Sequence, residues 1–333
     1  MNPFPIYPWQ QDNWRDICRQ WHQDRLAHAY LLCGEADIGK RQFASAMAGL
    51  LLCERPQQEA ACGECRNCIL IGSGNQPDLL TIAPTDNSRQ IRIEQIRELG
   101  DFLAMTTHSS ARKIVILYPA DMMNTSAANA LLKTLEEPAG STLLLLVSDL
   151  PGRLLPTLRS RCQKINFSKP DPASAMAWLA RVVDWPDMEA LLIMAEGKPL
   201  LAKRLVDSGD MAQREVILRS LAEMLAGRLA AHEFIAASRQ LDVNLIITCY
   251  EQITTILIKH ALGSRGSQHS SNTMTNLAQR LIPKEGLADS GTIARLMDFQ
   301  QTAVGARQQM QGMSNPNPAL ILETLTWQWC QLA

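Results

Sequence analysis

Five short apolar runs stand out within residues 26–167: "AYLLC" (29–33), "LLTIA" (79–83), "KIVIL" (113–117), "TLLLLV" (142–147) and "KINF" (164–167). Several place aliphatic residues at consecutive positions rather than alternate ones, which marks strands buried on both faces of a parallel sheet. Between them, "KRQFASAMAGLLLC" (40–53), "IRIEQIRELGDFLA" (91–104) and "NTSAANALLKTLEE" (124–137) have helical patterning. Asn124 or Thr125 is placed to cap the last of these and Pro138 to stop it. Strands alternating with helices predict a parallel α/β domain.

Beyond Phe167 the pattern changes. "SKPDPAS" (168–174) carries two prolines and reads as a linker, and no convincing strand follows it. Residues 173–206 suggest a small helical unit, and long helices follow from about 208. Ile217, Leu221, Met224 and Leu225 form one apolar stripe, and Ile246, Tyr250, Ile253 and Leu257 another; both predict core-facing helix surfaces. "GSRGSQHSSN" (263–272) has the composition of a flexible loop.

Composition narrows the class. The 333 residues suffice for two or three domains, and 46% hydrophobic with 20% charged residues is ordinary for a globular protein. A net charge of −1 supplies no global basic field for nucleic acid, so any such contact needs a local patch or a partner. The start lacks a basic region followed by an apolar core, and no apolar run is long enough to span a bilayer. The expectation is a cytoplasmic protein without a membrane segment, in a compartment where thiols stay reduced.

Nine cysteines then need a reason. Cys53, Cys62, Cys65 and Cys68 follow a C-x8-C-x2-C-x2-C pattern, in which four thiolates satisfy tetrahedral Zn²⁺ and leave no open position. Such a site is structural and stabilises a segment too short to bury its own core. The alternatives are two disulfides or four unrelated thiols. A nucleic-acid-reading role would call for base-stacking aromatics and a basic stripe, which the neighbouring sequence lacks. Cys18, Cys33, Cys162, Cys249 and Cys330 read as packed thiols.

"GEADIGKR" (34–41) matches the first seven positions of a phosphate-binding loop, between a predicted strand and a predicted helix. Gly34, Gly39 and Lys40 are the residues that would cradle phosphate. Position eight, which should offer a hydroxyl to Mg²⁺, is Arg41, and a guanidinium has no acceptor. The strand "KIVIL" should be followed by an acid that holds the metal; Tyr118 and Pro119 stand there instead, with Asp121 further on. ATP hydrolysis is not expected, and nucleotide binding is left open.

Several segments resemble the clamp-loader branch of the AAA+ ATPases: "RLAHAYLL" (25–32), "CGECRNC" (62–68), "QPDLL" (76–80), "RIEQIREL" (92–99), "NALLKTLEEP" (129–138) and "PTLRSRCQKINF" (156–167). The likeness runs from about Tyr7 to Phe167, and "NPNPALILETL" extends it weakly toward the C-terminus. It implies an AAA+ P-loop-type α/β domain over 1–168, with the zinc module inserted at about 53–75. A small helical lid over 169–207 and an all-α collar over 208–333 would follow.

The same resemblance aligns Ser148 with the polar sensor after the fourth strand, and Leu200 of "EGKPLL" with a sensor arginine. The Ser160-Arg161-Cys162 motif survives. In the family its arginine reaches the γ-phosphate of ATP held by the next subunit, whereas a lone arginine is ordinarily a surface ion pair. The family implies partners: gamma/tau and delta subunits in a hetero-oligomeric ring, with the sliding clamp and primed DNA reached through that complex. The expected role is a non-hydrolysing stator of a DNA-directed DNA polymerase (nucleotidyltransferase) holoenzyme, without activity alone. The rival is an autonomous AAA+ ATPase with a degenerate metal site.

Overall fold

A computed structural model describes residues 4–85, 88, 90–107, 112–138, 140–262, 290–311 and 316–332. The loop expected at 263–272 lies outside them. The chain divides into two compact units, Met1–Trp178 with Gly197–Leu200, and Leu179–Glu196 with Leu201–Ala333.

The first unit is built on β1 (Ala29–Cys33), β2 (Leu79–Ile82), β3 (Lys113–Leu117), β4 (Thr142–Ser148) and β5 (Gln163–Asn166). All pairings are parallel, in the order β2-β3-β4-β1-β5. The three inner strands, β3, β4 and β1, are buried at every position, which is why they read as unbroken apolar runs. The edge strands β2 and β5 are only partly covered.

Helices cover both faces. On one, α1 (Gln11–His22), α2 (Lys40–Leu52) and α3 (Arg66–Gly72) pack with Tyr30 and Leu32 of β1 and Leu143 and Leu145 of β4. On the other, α4 (Ile93–Ala104), α5 (Thr125–Glu136) and α6 (Pro156–Ser160) pack with Leu31, Cys33, Leu144 and Leu146. The Asn124 side chain accepts from Ala127 N at 2.8 Å, as the capping pattern predicts. The fold class expected from the sequence, a parallel α/β domain followed by helices, is the one observed.

The expected linker is shorter than its composition suggested. Residues 172–174 form the first turn of α7 (Pro172–Val182), with Pro172 at its first position and Asp171 accepting from Ser174 N at 2.9 Å. Proline and a capping aspartate start a helix as readily as they break one.

The remaining helices are α8 (Met188–Met194), α9 (Pro199–Asp207), α10 (Asp210–Leu225), α11 (Ala231–Ala237), α12 (Val243–Ala261), α13 (Ser290–Gln311) and α14 (Pro318–Cys330). In the second unit both predicted stripes face the core, with Leu225 only partly buried. Tyr250 sits among Phe299 at 5.5 Å and Trp329 at 5.4 Å, and its hydroxyl donates to Thr326 Oγ1 at 3.0 Å. Trp329 Nε1 donates to the Leu221 carbonyl at 2.8 Å, so the apolar cluster is also a hydrogen-bonded one.

Leu145 of β4 is fully buried, and Leu145→Ala is expected to cost roughly 2–5 kcal/mol in urea unfolding. Ile69→Ala, at a side chain 60% exposed, should stay within about 0.5 kcal/mol in the same measurement.

Candidate functional site

In an open parallel sheet, ligands are received at the carboxyl ends of strands where successive helices pass to opposite faces. Here that place is the end of β1, since α2 lies on one face and α5, which follows β3, on the other. The β1–α2 loop fills it. A Cβ at Gly34 would stand 2.5 Å from the Phe167 carbonyl oxygen, so glycine lets the chain leaving β5 pass. Gly39 caps α2 at φ 91°, and a Cβ there would meet the Tyr7 ring at 2.6 Å. Trp9 Nε1 and Gln10 Nε2 both donate to the Ile38 carbonyl, at 2.9 and 3.1 Å, and pin the loop from outside.

Lys40 is buried. Its ammonium donates to the Glu35 carbonyl and lies 2.6 Å from Asp149 Oδ1. Burial pushes the Asp149 carboxyl above the usual range, and the Lys40 charge offsets only part of that. Glu35 pairs with both Lys169 and Lys198 at 3.1 Å. Burial acts to raise its carboxyl, but hydrogen bonds and charge from Lys198 and Lys169 outweigh it and hold the group below the usual range.

Ser148 is fully buried, and its hydroxyl donates to Asp121 Oδ1 at 2.7 Å. The same oxygen accepts from Asp149 N at 3.0 Å and Leu150 N at 3.4 Å. Asp121 therefore braces the turn after β4. At the two positions where a metal-binding loop would offer hydroxyl and acid, Arg41 and Tyr118 face each other, with the guanidinium carbon 5.6 Å from the ring centroid. Burial, then the charges of Asp149 and Asp37, push the Tyr118 hydroxyl up to about 12. Gly34, Gly39, Lys40 and Ser148 thus come together at one end of the sheet.

Arg161 stands elsewhere. It follows α6 and precedes β5, whose Gln163 pairs with Tyr30 at the start of β1. It is therefore at the amino edge of the sheet, separated from its own loop by β1, roughly 16 Å of strand. Arg161 Nη2 lies 2.6 Å from Glu136 Oε1, and Nη1 donates to the Thr157 carbonyl at 3.0 Å. Its side chain is 37% exposed.

The four cysteines form a third feature. Their sulfurs lie within 4.8 Å of one another, with Cys53–Cys65 and Cys62–Cys68 each at 3.9 Å. Zn–S bonds of 2.3 Å would give a tetrahedral edge of about 3.8 Å, so the set could hold zinc. Backbone N–H groups of Cys62, Cys65 and Cys68 donate to Cys53, Cys62 and Cys65 sulfurs at 3.3, 3.3 and 3.4 Å, supporting thiolate charge. Donation from the Glu64 and Cys65 amides pulls Cys62 down to about 6, while burial pushes Cys53 and Cys68 up. All nine cysteines are free, and the pairs Cys53–Cys65 and Cys62–Cys68 stand at 3.9 Å rather than at disulfide distance.

Sequence reasoning missed Glu35, Lys169, Lys198 and Asp149 as members of the loop's charge cluster. The position of Asp149, next to the sensor-like serine, was the one available signal.

Residues 9–171 match the family described as DNA polymerase III, delta subunit. A DNA polymerase III subunit delta' from Pseudomonas aeruginosa is 37% identical over 333 residues, covering 98% of each chain. The Escherichia coli subunit delta' is 33% identical over 218 residues, 65% of each chain. A DNA polymerase III subunit tau from Bacillus subtilis is 28% identical over 223 residues, 62% of this chain and 39% of that one.

Glu35 gives the loop a pH signature. Its carboxyl binds a proton less readily folded than unfolded, so its contribution is complete above the ordinary carboxylate pKa and lost as pH falls through the depressed value. Glu35→Gln is expected to melt below the parent protein at neutral pH. The gap should close below about pH 4. Thermal melts of both proteins across that range check this; a gap that persists in acid would assign the effect to packing.

Proposed function

The chain belongs to the clamp-loader family of DNA polymerase III delta' subunits, and from that premise we propose that it is the stator of the complex. In this reading it hydrolyses no ATP, helps load the sliding clamp onto primed DNA, and lends Arg161 to the ATP site of a neighbouring subunit. The observation that carries it is positional. Arg161 is partly exposed at the edge of the sheet opposite its own loop, where that loop cannot use it, and this supports a role in trans. A guanidinium supplied in trans neutralises charge as the γ-phosphoryl group transfers. The Glu136 pair holds it meanwhile; a surface pair of this kind is worth about 1 kcal/mol at most, and phosphate competes with it readily.

The partners in this proposal are gamma/tau and delta subunits in a hetero-oligomeric ring. Its lid is residues 169–207 and its collar 208–333. Zinc at Cys53, Cys62, Cys65 and Cys68 is structural, and the location is the cytoplasm. Among the described residues no helix is long and apolar enough to cross a membrane. The rival, an autonomous ATPase, would need Asp121 or another acid as a metal ligand, and Asp121 Oδ1 already accepts three donors.

The purified chain is expected to show no turnover with saturating ATP and Mg²⁺. In the reconstituted complex, Arg161→Ala should lower kcat at the recipient site by on the order of 10³-fold, leaving subunit assembly intact. Unchanged turnover in an assembled Arg161→Ala complex would end the arginine-finger reading. Elemental analysis should return about one zinc per chain. Cys65→Ser is expected to lose the metal and to lower Tm.

A further inference from the structure

The β1–α2 loop still has the backbone of a phosphate cradle, and three lysines converge on it. Each of them already has an anion from the same chain. The Lys40 side chain is 2% exposed and lies 2.6 Å from Asp149 Oδ1. Lys169 and Lys198, the latter with a side chain 11% exposed, take the two Glu35 oxygens at 3.1 Å each. Glu35 is itself a loop residue, and its carbonyl accepts from the Lys40 ammonium as well. The loop's charges are thus closed on themselves.

We infer that the loop is shut against nucleotide by the chain's own carboxylates: Asp149 occupies the Lys40 ammonium where a phosphate would sit, and Glu35 ties Lys169 and Lys198 to the loop. An entering polyphosphate has to displace Asp149 from a buried ammonium. It then stands as a further anion beside Asp149, Glu35 and Asp37, with no metal held by Arg41 or Tyr118 to neutralise it. The contact is autoinhibitory in form. Its consequence is a loop whose conformation does not depend on nucleotide concentration, which deepens the non-hydrolysing reading by giving it a cause. Removing the internal anion should expose a latent, magnesium-independent polyphosphate site.

The test is calorimetric titration of the full-length chain with inorganic triphosphate, and separately with ATP, without added magnesium. Asp149→Asn keeps the shape of the side chain and removes its charge; it is expected to bind triphosphate at least about tenfold more tightly than the parent. The gain should vanish in Asp149→Asn combined with Lys40→Ala. ATP binding that improves in step with triphosphate places the gain in the phosphate chain. Should Asp149→Asn fold only when triphosphate is present, that rescue also supports the lock. If it does not fold at all, Glu35→Gln replaces it, again with tighter triphosphate binding expected. A folded variant no tighter than the parent, or a parent that already binds as tightly as its variant, overturns the inference. Binding by the parent as tight as that of Asp149→Asn, without turnover, would end the lock and leave the stator reading standing. Unchanged turnover in an assembled Arg161→Ala complex would do the reverse.

Discussion

Parallel strands cannot be joined by a tight turn; each connection has to cross over the sheet, and each crossover here carries a helix. That constraint arranges everything else in the first unit. Strand ends separate into a carboxyl edge, where loops open into helices, and an amino edge, where helices return. The β1–α2 loop, Lys40 and Ser148 fall on the first edge, and Arg161 with Glu136 on the second. One chain therefore presents a phosphate-type loop at one border and a guanidinium at the other, and no local rearrangement brings them together.

At the carboxyl edge the two places of a metal site are filled by side chains that partner each other. A metal site needs oxygen donors, and its two places are taken by a cation and an aromatic ring that attract one another. Lysine at the head of α2 would be costly to bury alone, and Asp149 meets that cost with a paired charge. The neighbouring acid, Asp121, has become a turn brace whose oxygen serves a hydroxyl and two backbone amides. Arg41 and Tyr118 partner each other, and Asp121 holds the turn after β4.

What could be read from the sequence divides by range. The inner strands were legible because burial on both faces leaves polar residues only at their ends, and α5 because Asn124 caps it locally. The cysteine cluster was legible because its ligands are close in sequence. The partners of Lys40 and Glu35 were not. Asp149, Lys169 and Lys198 are distant along the chain; the order of β4, β1 and β5 brings the first two to one edge, and Lys198 reaches it from the segment between α8 and α9. Prolines at 170 and 172 pointed to a break where one of them starts a helix, because the same fixed φ serves both ends of such a segment.

The cysteine module and the closed loop act on the same helix. At the head of α2, Gly39 packs against Tyr7, the Ile38 carbonyl accepts from Trp9 and Gln10, and Lys40 is held by Asp149. At its foot, Cys53 ends the helix, and Asn67 of α3 donates to the Leu52 carbonyl at 2.9 Å. Cys65 and Cys68 belong to the same buried cluster as Phe43 and Met47 of α2. A metal joining the four sulfurs would bind the foot of α2 to α3 as firmly as the ion pair binds its head to β4. The head of the helix is thus held by an ion pair and its foot by a hydrogen bond from α3. If the chain serves as proposed, as a fixed reference for other subunits, a helix held at both ends suits that role.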